Sequence, residues 1–175
     1  IAGLLPLAEG TRLEDSELSL GLFAQDLAQD LPQDESATEY VTNAVREASD
    51  PLLTDTAART VLGTLGLIGE KATRPIGTLS GGEKARVALA TFCLTPRNVL
   101  LLDEPTNHLD SGAIEALLGA LDKYEGAVVV VSHDRPFCEA VRATHVAYVA
   151  GGSVKMEERS LRASDWSETD QGHRA

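Results

Sequence analysis

The chain has 175 residues, of which 43% are hydrophobic and 24% charged, as in a globular domain with its own core. Fifteen basic and 27 acidic residues give a net charge of −12. A surface this acidic repels the phosphate backbone of nucleic acids, and we therefore expect no direct nucleic-acid binding. The longest apolar run, Ala127–Val131, is far too short to cross a bilayer, so no membrane partner is expected. Cys93 and Cys138 lack metal-like spacing, and we expect both to be buried in a protein of a reducing compartment.

The N-terminal residues predict one helix end and one strand. Residues 1–6 (IAGLLP) have the pattern of the last turn of an apolar helix, stopped by Gly3 and Pro6. Residues 11–24 end in a partly alternating, strand-like run, and Gln25 follows it directly.

Residues 34 to 70 predict a small, acidic, helical region. Apolar residues recur there at helical spacing, with a break at Asp50-Pro51. A further helix should begin after Ser80, because Ser80 and Glu83 have the spacing of a capping box. This helix should end near residue 94, before Pro96, and bury its apolar face.

The C-terminal half predicts a parallel sheet. Residues 99–102 (VLLL) read as a strand buried on both faces, an amphipathic helix follows, and residues 128–131 read as a second buried strand. A strand, a helix and a strand joined by short loops form a βαβ unit. Residues 147–149 and 154–156 flank Gly151-Gly152 like a terminal hairpin, and a polar tail follows residue 158.

Two adjacent carboxylates, Asp103 and Glu104, close the first of these strands. Ligands bind at the carboxyl edge of parallel sheets, and carboxylate oxygens suit Mg²⁺ carried by a nucleoside triphosphate. We therefore assign Asp103 to the metal and Glu104 to the attacking water. Taken alone, the pair also fits a polar strand end that caps the next helix.

The helix start at Ser80, Gly81 and Gly82 predicts a phosphate contact. Two glycines there let an anion approach the backbone N–H groups, and the helix dipole favours negative charge. A plain capped helix needs Ser80 and Glu83 but does not need the glycine pair. His133 after the second strand suits a hydrogen bond to a terminal phosphate, and Gln25 suits a metal-bound water, although each alone also fits an ordinary polar strand end.

Together these segments resemble the ABC-F family of ATP-binding-cassette ATPases. Residues 79–86 (LSGGEKAR) resemble the signature sequence, 99–110 (VLLLDEPTNHLD) the Walker B strand and D-loop, and 130–137 (VVSHDRPF) the switch-histidine segment. The TNHLD continuation at 106–110 is typical of ABC-F proteins rather than transporter ATPases. The segment before the signature looks most like that of a second cassette in a tandem protein.

The resemblance implies an α/β, P-loop NTPase-like cassette with a mainly parallel sheet flanked by helices. It implies a partial ATPase domain over residues 1–158, with a helical subdomain over about 34–95 and a polar tail or linker over 159–175. It also implies that the chain is incomplete at its N-terminus, because no G-x-x-x-x-G-K-[ST] phosphate-binding loop occurs in the sequence. Without that loop, the isolated chain is expected to bind ATP very weakly and not to hydrolyse it.

The family pattern also implies a role for each matching residue. Ser80, Gly81 and Gly82 would contact the γ-phosphate of ATP held by a second cassette, and Asp110 would communicate across that interface. The remaining correspondences are the Q-loop glutamine for Gln25, the Mg²⁺-binding aspartate for Asp103, the catalytic glutamate for Glu104 and the switch histidine for His133.

The implied function is ATP binding and hydrolysis by a protein that acts on the ribosome in translation, in the cytoplasm or the plastid stroma. One alternative is the ATPase subunit of a membrane transporter, against which the TNHLD segment stands. Another is a non-catalytic cassette that serves as an interaction module, against which the intact set of Asp103, Glu104 and His133 stands.

Overall fold

The computed structural model describes residues 2–3, 5–23, 28, 30–107 and 109–166 of the chain. It divides the chain into two compact units, Ile1–Val131 and Ser132–Ala175. Each unit has its own secondary structure, and each is described by itself.

A three-stranded parallel sheet lies in the first unit. Its strands are β1 (Leu20–Phe23), β2 (Val99–Asp103) and β3 (Ala127–Val131), in that order across the sheet. Val99 pairs with Leu20 on one side and with Ala127 on the other. Helix α5 (Ser111–Leu121) connects β2 to β3, which confirms the predicted βαβ unit and the parallel sheet.

Among the described residues between β1 and β2 there are four α-helices: α1 (Ala37–Ala48), α2 (Asp55–Thr64), the short α3 (Glu70–Thr73) and α4 (Gly81–Leu94). A 3₁₀ turn, Ile76–Thr78, precedes α4. Side chains fix the helix starts: Ser36 and Ser80 each cap a helix in a capping box, and Thr54 caps α2. The capping box predicted at Ser80 and Glu83 is thereby confirmed.

The core of the first unit joins these helices to the sheet. Val41, Leu62 and Leu89, one from each long helix, are fully buried. The rings of Phe23 on β1 and Phe92 on α4 meet edge to face, with their centroids 5.4 Å apart. Burial of such apolar side chains contributes about 1.5–3 kcal/mol each.

Strand β2 is central and β3 lies at an edge of the described sheet. Leu100, Leu101 and Leu102 are buried, as predicted. The prediction that β3 is a buried strand is wrong, because Val129 and Val131 are 39% and 57% exposed. The side chains of a strand are buried by the elements that pack on the two faces of the sheet, so an apolar run by itself does not decide whether its strand is covered.

Two smaller predictions also differ from the structure. Among residues 2–3 and 5–19 there is no helix, so the expected helix end before Pro6 is not formed. Cys93 is exposed and Cys138 half-buried, rather than buried. Cys93 belongs to the last turn of α4, one turn beyond Leu89 on the same side of the helix, and the buried part of α4 ends before this turn.

The second unit consists of helix α6 (Arg135–Val141), strands β4 (His145–Ala150) and β5 (Ser153–Glu158), and a 3₁₀ turn at Ala163–Trp166. The two strands pair antiparallel around Gly151-Gly152, which confirms the predicted hairpin. After β5, the Arg159 guanidinium contacts Asp165 at 2.7 Å and also contacts the Tyr148 hydroxyl. None of the helices in the described part of the chain has the length and hydrophobicity that a membrane span requires.

Candidate functional site

The carboxylate pair Asp103–Glu104 lies at the carboxyl end of β2, at the edge of the sheet where the sequence predicted it. Asp103 is the last residue of β2, pairs with Val131 in the parallel register and is exposed. Glu104 is the next residue and is half-buried. Two consecutive carboxylates therefore lie at the end of the central strand, with Asp103 exposed to solvent and Glu104 partly shielded from it.

The backbone at Glu104 has an unusual conformation. Its φ of +46° is positive, which a residue with a side chain rarely adopts. The Glu104 N–H donates a 2.8 Å hydrogen bond to the Val131 carbonyl at the end of β3. The turn continues with a 3.1 Å bond from the Asn107 N–H to the Glu104 carbonyl. Such strain persists only where neighbouring bonds enforce it, and it often accompanies functional sites.

Helix α4 presents its N-terminus as the second part of the candidate site. Ser80 and Gly81 are exposed and Gly82 is half-buried. The Ser80 hydroxyl accepts a 3.3 Å bond from the Glu83 N–H, and the Glu83 carboxylate accepts a 2.9 Å bond from the Ser80 N–H. The first turn is thus ordered by its own residues and remains accessible at Ser80 and Gly81.

The Glu83 carboxylate carries more contacts than a cap requires. Its oxygens lie 3.0 Å from the Lys71 Nζ and 3.1 Å from an Arg74 Nη2, and the side chain is only 13% exposed. The Ser80 N–H, followed by Lys71 and Arg74, lowers the pKa of Glu83 to about 2. A full negative charge therefore sits at the start of α4, paired with two cations from the α3 segment.

Asp110 joins the loop after Glu104 to the helical part of the unit. One of its oxygens accepts a 3.0 Å bond from the Ala113 N–H and so caps α5. The other forms an ion pair with Arg86 of α4. The Arg86 guanidinium also donates a 3.3 Å bond to the Leu65 carbonyl at the end of α2. The Arg86 side chain therefore connects α4 with the end of α2 and with the loop that carries Asp110.

His133 belongs to the second unit. It is exposed and stands between Ser132 and Asp134, two residues after β3 ends. Asp134 caps α6 by accepting a 3.0 Å bond from the Phe137 N–H, and its own N–H donates to the Ser132 hydroxyl at 3.0 Å. The segment that carries His133 is therefore a tight, capped helix start. Gln25 lies outside the described residues, as does His108.

The donor set at the β2 edge fits Mg²⁺ better than a metal held wholly by the protein. Among the described residues no group of three or more histidine, cysteine or acidic side chains is arranged to hold a metal ion. Mg²⁺ typically takes one or two carboxylates and fills its other positions with water and phosphate oxygens. An exposed carboxylate such as Asp103 matches that requirement.

A family model described as ABC transporter matches residues 3–107, which is more than half of the chain. The chain belongs to the ATP-binding-cassette family. The matched residues include the Ser80 helix start and the Asp103–Glu104 pair. The α/β fold predicted from the motifs, a parallel sheet flanked by helices, is confirmed.

Curated relatives place this cassette in the F subfamily. Mouse ATP-binding cassette sub-family F member 3 is 40% identical over 141 residues, covering 81% of this chain and 19% of the relative. ABC transporter F family member 4 of Arabidopsis thaliana is 38% identical over 134 residues, covering 77% and 18%. The probable ATP-binding protein YheS of Haemophilus influenzae is 42% identical over 135 residues, covering 77% and 20%. The cassette sequence spans about a fifth of the length of these relatives.

Solved structures show the same fold. An ATP-binding cassette solved as a dimer in a post-hydrolysis state with ADP and Pi is 25% identical, with a TM-score of 0.64, covering 81% of this chain and 63% of that one. An archaeal ribosome recycling factor solved in complex with a ribosomal stalk protein is 24% identical, with a TM-score of 0.67, covering 97% and 32%. The second likeness shows the fold alone.

Three basic residues near the candidate site could not be predicted from the sequence: Lys71, Arg74 and Arg86. Lys71 and Arg74 precede Glu83 by 12 and 9 residues, so no helical spacing links them to it. Arg86 stands out in the sequence only as the end of the LSGGEKAR segment. Basic residues close to an acidic cap are a weak signal, because most such charges lie on solvated faces.

Proposed function

We propose that this cassette is part of an ABC-F ATPase that binds and hydrolyses ATP together with a second cassette. The observation that carries the proposal is the carboxylate pair at the end of β2, where Asp103 is exposed and Glu104 is held by the Val131 carbonyl. A carboxylate pair at the carboxyl edge of a parallel sheet is where a nucleotide and its metal bind in folds of this class.

Asp103 is the residue of this chain that would hold Mg²⁺, and Gln25 is the second residue assigned to the metal. When bound, Mg²⁺ neutralises charge on the phosphate oxygens. Asp103 supplies an oxygen ligand from a rigid strand end. Its place at the end of a central, buried strand holds the backbone of that ligand through the pairing of Asp103 with Val131.

Glu104 is proposed as the general base. It accepts a proton from the attacking water, whose oxygen forms a bond to the γ-phosphorus while the bond from that phosphorus to the bridging oxygen breaks, giving ADP and phosphate. The hydrogen bond to Val131 and the positive φ hold its backbone in one orientation. His133 is proposed to donate a hydrogen bond to the terminal phosphate.

Ser80, Gly81 and Gly82 are proposed to contact the γ-phosphate of ATP held by the second cassette, with Asp110 at the interface between the two. The exposed start of α4 supports this role, since it offers backbone N–H groups and the positive end of a 14-residue helix. The Asp110–Arg86 pair supports a mechanical connection between the interface loop and α4.

The resemblance to ABC-F proteins leads us to propose action on the ribosome in translation, in the cytoplasm or the plastid stroma. An ATPase subunit of a membrane transporter is the second candidate, and a non-catalytic interaction module is the third. A ribosome-bound state that depends on ATP, measured by co-sedimentation of the full-length protein, favours the first over the others.

The test of the ATPase is Glu104→Gln in the full-length protein. ATP binding should persist, while turnover should fall by at least about 100-fold, because the amide cannot accept the proton. Glu115→Gln at an exposed position of α5 is a matched control and should leave turnover unchanged. Equal turnover in wild type and Glu104→Gln removes Glu104 from its proposed role.

The 175-residue chain by itself is proposed to be inactive, because its sequence lacks a G-x-x-x-x-G-K-[ST] loop to hold the β- and γ-phosphates. Phosphate release by the purified chain should not exceed the background of a Glu104→Gln preparation. Turnover above that background contradicts this proposal.

A further inference from the structure

The start of α4 combines two demands that oppose each other. The proposed phosphate contact needs positive potential at Ser80 and Gly81, which the helix dipole supplies. The capping box places the Glu83 carboxylate at the same end, with an oxygen 2.9 Å from the Ser80 N–H. A carboxylate there stabilises the helix but repels an incoming triphosphate.

Two cations offset this carboxylate. The Lys71 Nζ and an Arg74 Nη2 lie 3.0 and 3.1 Å from its oxygens, one cation on each oxygen. The trio therefore carries a net charge of +1 instead of the −1 of Glu83 alone. Glu83 is only 13% exposed, whereas the Lys71 and Arg74 side chains are 50% and 40% exposed, so solvent shields the carboxylate less than it shields the two cations.

Hydrogen bonds fix the backbone of the α3 segment, which carries Lys71 and Arg74. Ala72, which lies between them in sequence, is buried, and its carbonyl accepts a 2.8 Å bond from the Thr38 hydroxyl of α1. The Arg74 N–H bonds to the Glu70 carbonyl at 2.8 Å. Farther on, Gly77 donates to the Gln33 carbonyl at 2.9 Å, and a Cβ on Gly77 would lie 2.9 Å from that same oxygen. The segment between α3 and α4 is thus fixed to the start of α1.

We propose that Lys71 and Arg74 are positioning residues that neutralise Glu83, so that the α4 N-terminus can accept the triphosphate bound by the opposing cassette. This inference rests on the proposed function and adds a charge requirement to it. It assigns roles to two residues outside the family motifs. A merely structural role, holding α3 against α4 through the same ion pairs, would lower the stability of the protein without changing the KM for ATP of the variants that fold.

Three variants of the full-length protein distinguish an effect of the charge of Lys71 and Arg74 from an effect of their contacts with Glu83. Lys71→Met with Arg74→Met should raise the KM for ATP about tenfold, equivalent to about 1.4 kcal/mol, with a smaller change in kcat. Glu83→Gln should change KM by at most about twofold, because glutamine at this position also completes a capping box. Adding Glu83→Gln to the double variant should return KM to within about twofold of wild type.

Two controls accompany these variants. Arg46→Met with Arg59→Met removes the same charge from α1 and α2, where Arg46 pairs with Asp55 instead of Glu83, and should leave KM unchanged. Lys71→Arg with Arg74→Lys keeps both charges and should keep the wild-type KM. Thermal unfolding followed by circular dichroism identifies any variant that fails to fold.

A second measurement does not depend on turnover. Tripolyphosphate is titrated into the 175-residue chain while the amide signals of Ser80, Gly81 and Gly82 are followed by NMR. The amide chemical shifts should saturate at a tripolyphosphate concentration about tenfold higher in the Lys71→Met, Arg74→Met variant than in wild type. Adding Glu83→Gln to this variant should restore the wild-type titration curve.

The outcomes are distinct. If Glu83→Gln fails to rescue the double variant in either assay, or is itself as damaging, the role is structural and the inference is overturned. Absence of amide shifts in every variant also overturns it. If the full-length protein shows no turnover at all, the proposed function fails, while the titration still decides the charge requirement.

Discussion

Arg86 in α4 forms an ion pair with Asp110, the residue that caps α5. The same guanidinium donates a 3.3 Å bond to the Leu65 carbonyl at the end of α2. One side chain, only 18% exposed, therefore holds together three helices and the loop that follows Glu104.

Replacing Arg86 should therefore destabilise the first unit. In Arg86→Met the Leu65 carbonyl loses its charged donor and Asp110 loses its cation, and we expect a loss of about 1–2 kcal/mol in the free energy of unfolding. Urea denaturation of the chain measures it. Arg135→Met removes an exposed pair with Glu139 and should cost less than about 0.5 kcal/mol. If Arg86→Met and Arg135→Met lower the free energy of unfolding equally, Arg86 does not stabilise the unit by connecting α2, α4 and α5.

Gly66 should be required where it stands, next to Arg86. Its φ is +82°, and a Cβ would lie 2.8 Å from the Arg86 Nη1. Gly66→Ala should cost about 1–2 kcal/mol from the backbone alone, with displacement of Arg86 added. A Cβ on Gly63 in α2 would have no neighbouring atom within 4 Å, so Gly63→Ala should instead stabilise by about 0.5–1 kcal/mol. Chemical denaturation of both variants tests the opposite signs.

Stability should depend on pH through Glu83. The Ser80 N–H, Lys71 and Arg74 lower the pKa of Glu83 to about 2, below its usual value of about 4.3. The carboxylate therefore contributes its full stabilisation above about pH 5 and loses it as the pH falls through 2. Between those values the Tm of wild type should fall more steeply than that of Glu83→Gln. Parallel Tm curves would rule out this contribution.

Trp166 reports on the tail of the second unit. It is the single tryptophan of the chain and is half-buried. Asp165 beside it binds the Arg159 guanidinium and accepts a hydrogen bond from the Tyr148 hydroxyl. In Asp165→Asn the guanidinium loses one of its two carboxylate partners and keeps Glu157, so the tail should loosen and the fluorescence of Trp166 should shift to the red. Glu158→Gln on the exposed end of β5 should leave the emission unchanged.

Local elements were predictable because their causes lie within a few residues. The capping box at Ser80 and Glu83 depends on neighbours three positions apart, and the structure contains both of its bonds. The run at 99–102 is continuous and apolar, and it forms the buried part of β2. The Gly151-Gly152 turn between alternating segments forms the predicted hairpin. The order of the motifs also predicted the family.

Burial and pairing were less predictable because they depend on which segments meet. The valines of β3 have the pattern of a buried strand, yet the strand lies at an edge and Val131 is 57% exposed. The roles assigned to Asp103, Glu104 and His133 stay predictions until the variants are measured. The division of the chain at 158 and the polar tail from 159 to 175 are likewise still predictions.

The amino-acid sequence by itself determined the helix starts, the parallel βαβ unit and the chemistry available at the end of β2, because caps and periodicities act over one turn or one strand. Only the tertiary structure decided that Lys71 and Arg74 share the Glu83 carboxylate and that Arg86 reaches Asp110. Ion pairs between separate elements form where packing brings the elements together, and the free energy that places them there comes from buried side chains such as Leu62 and Leu89.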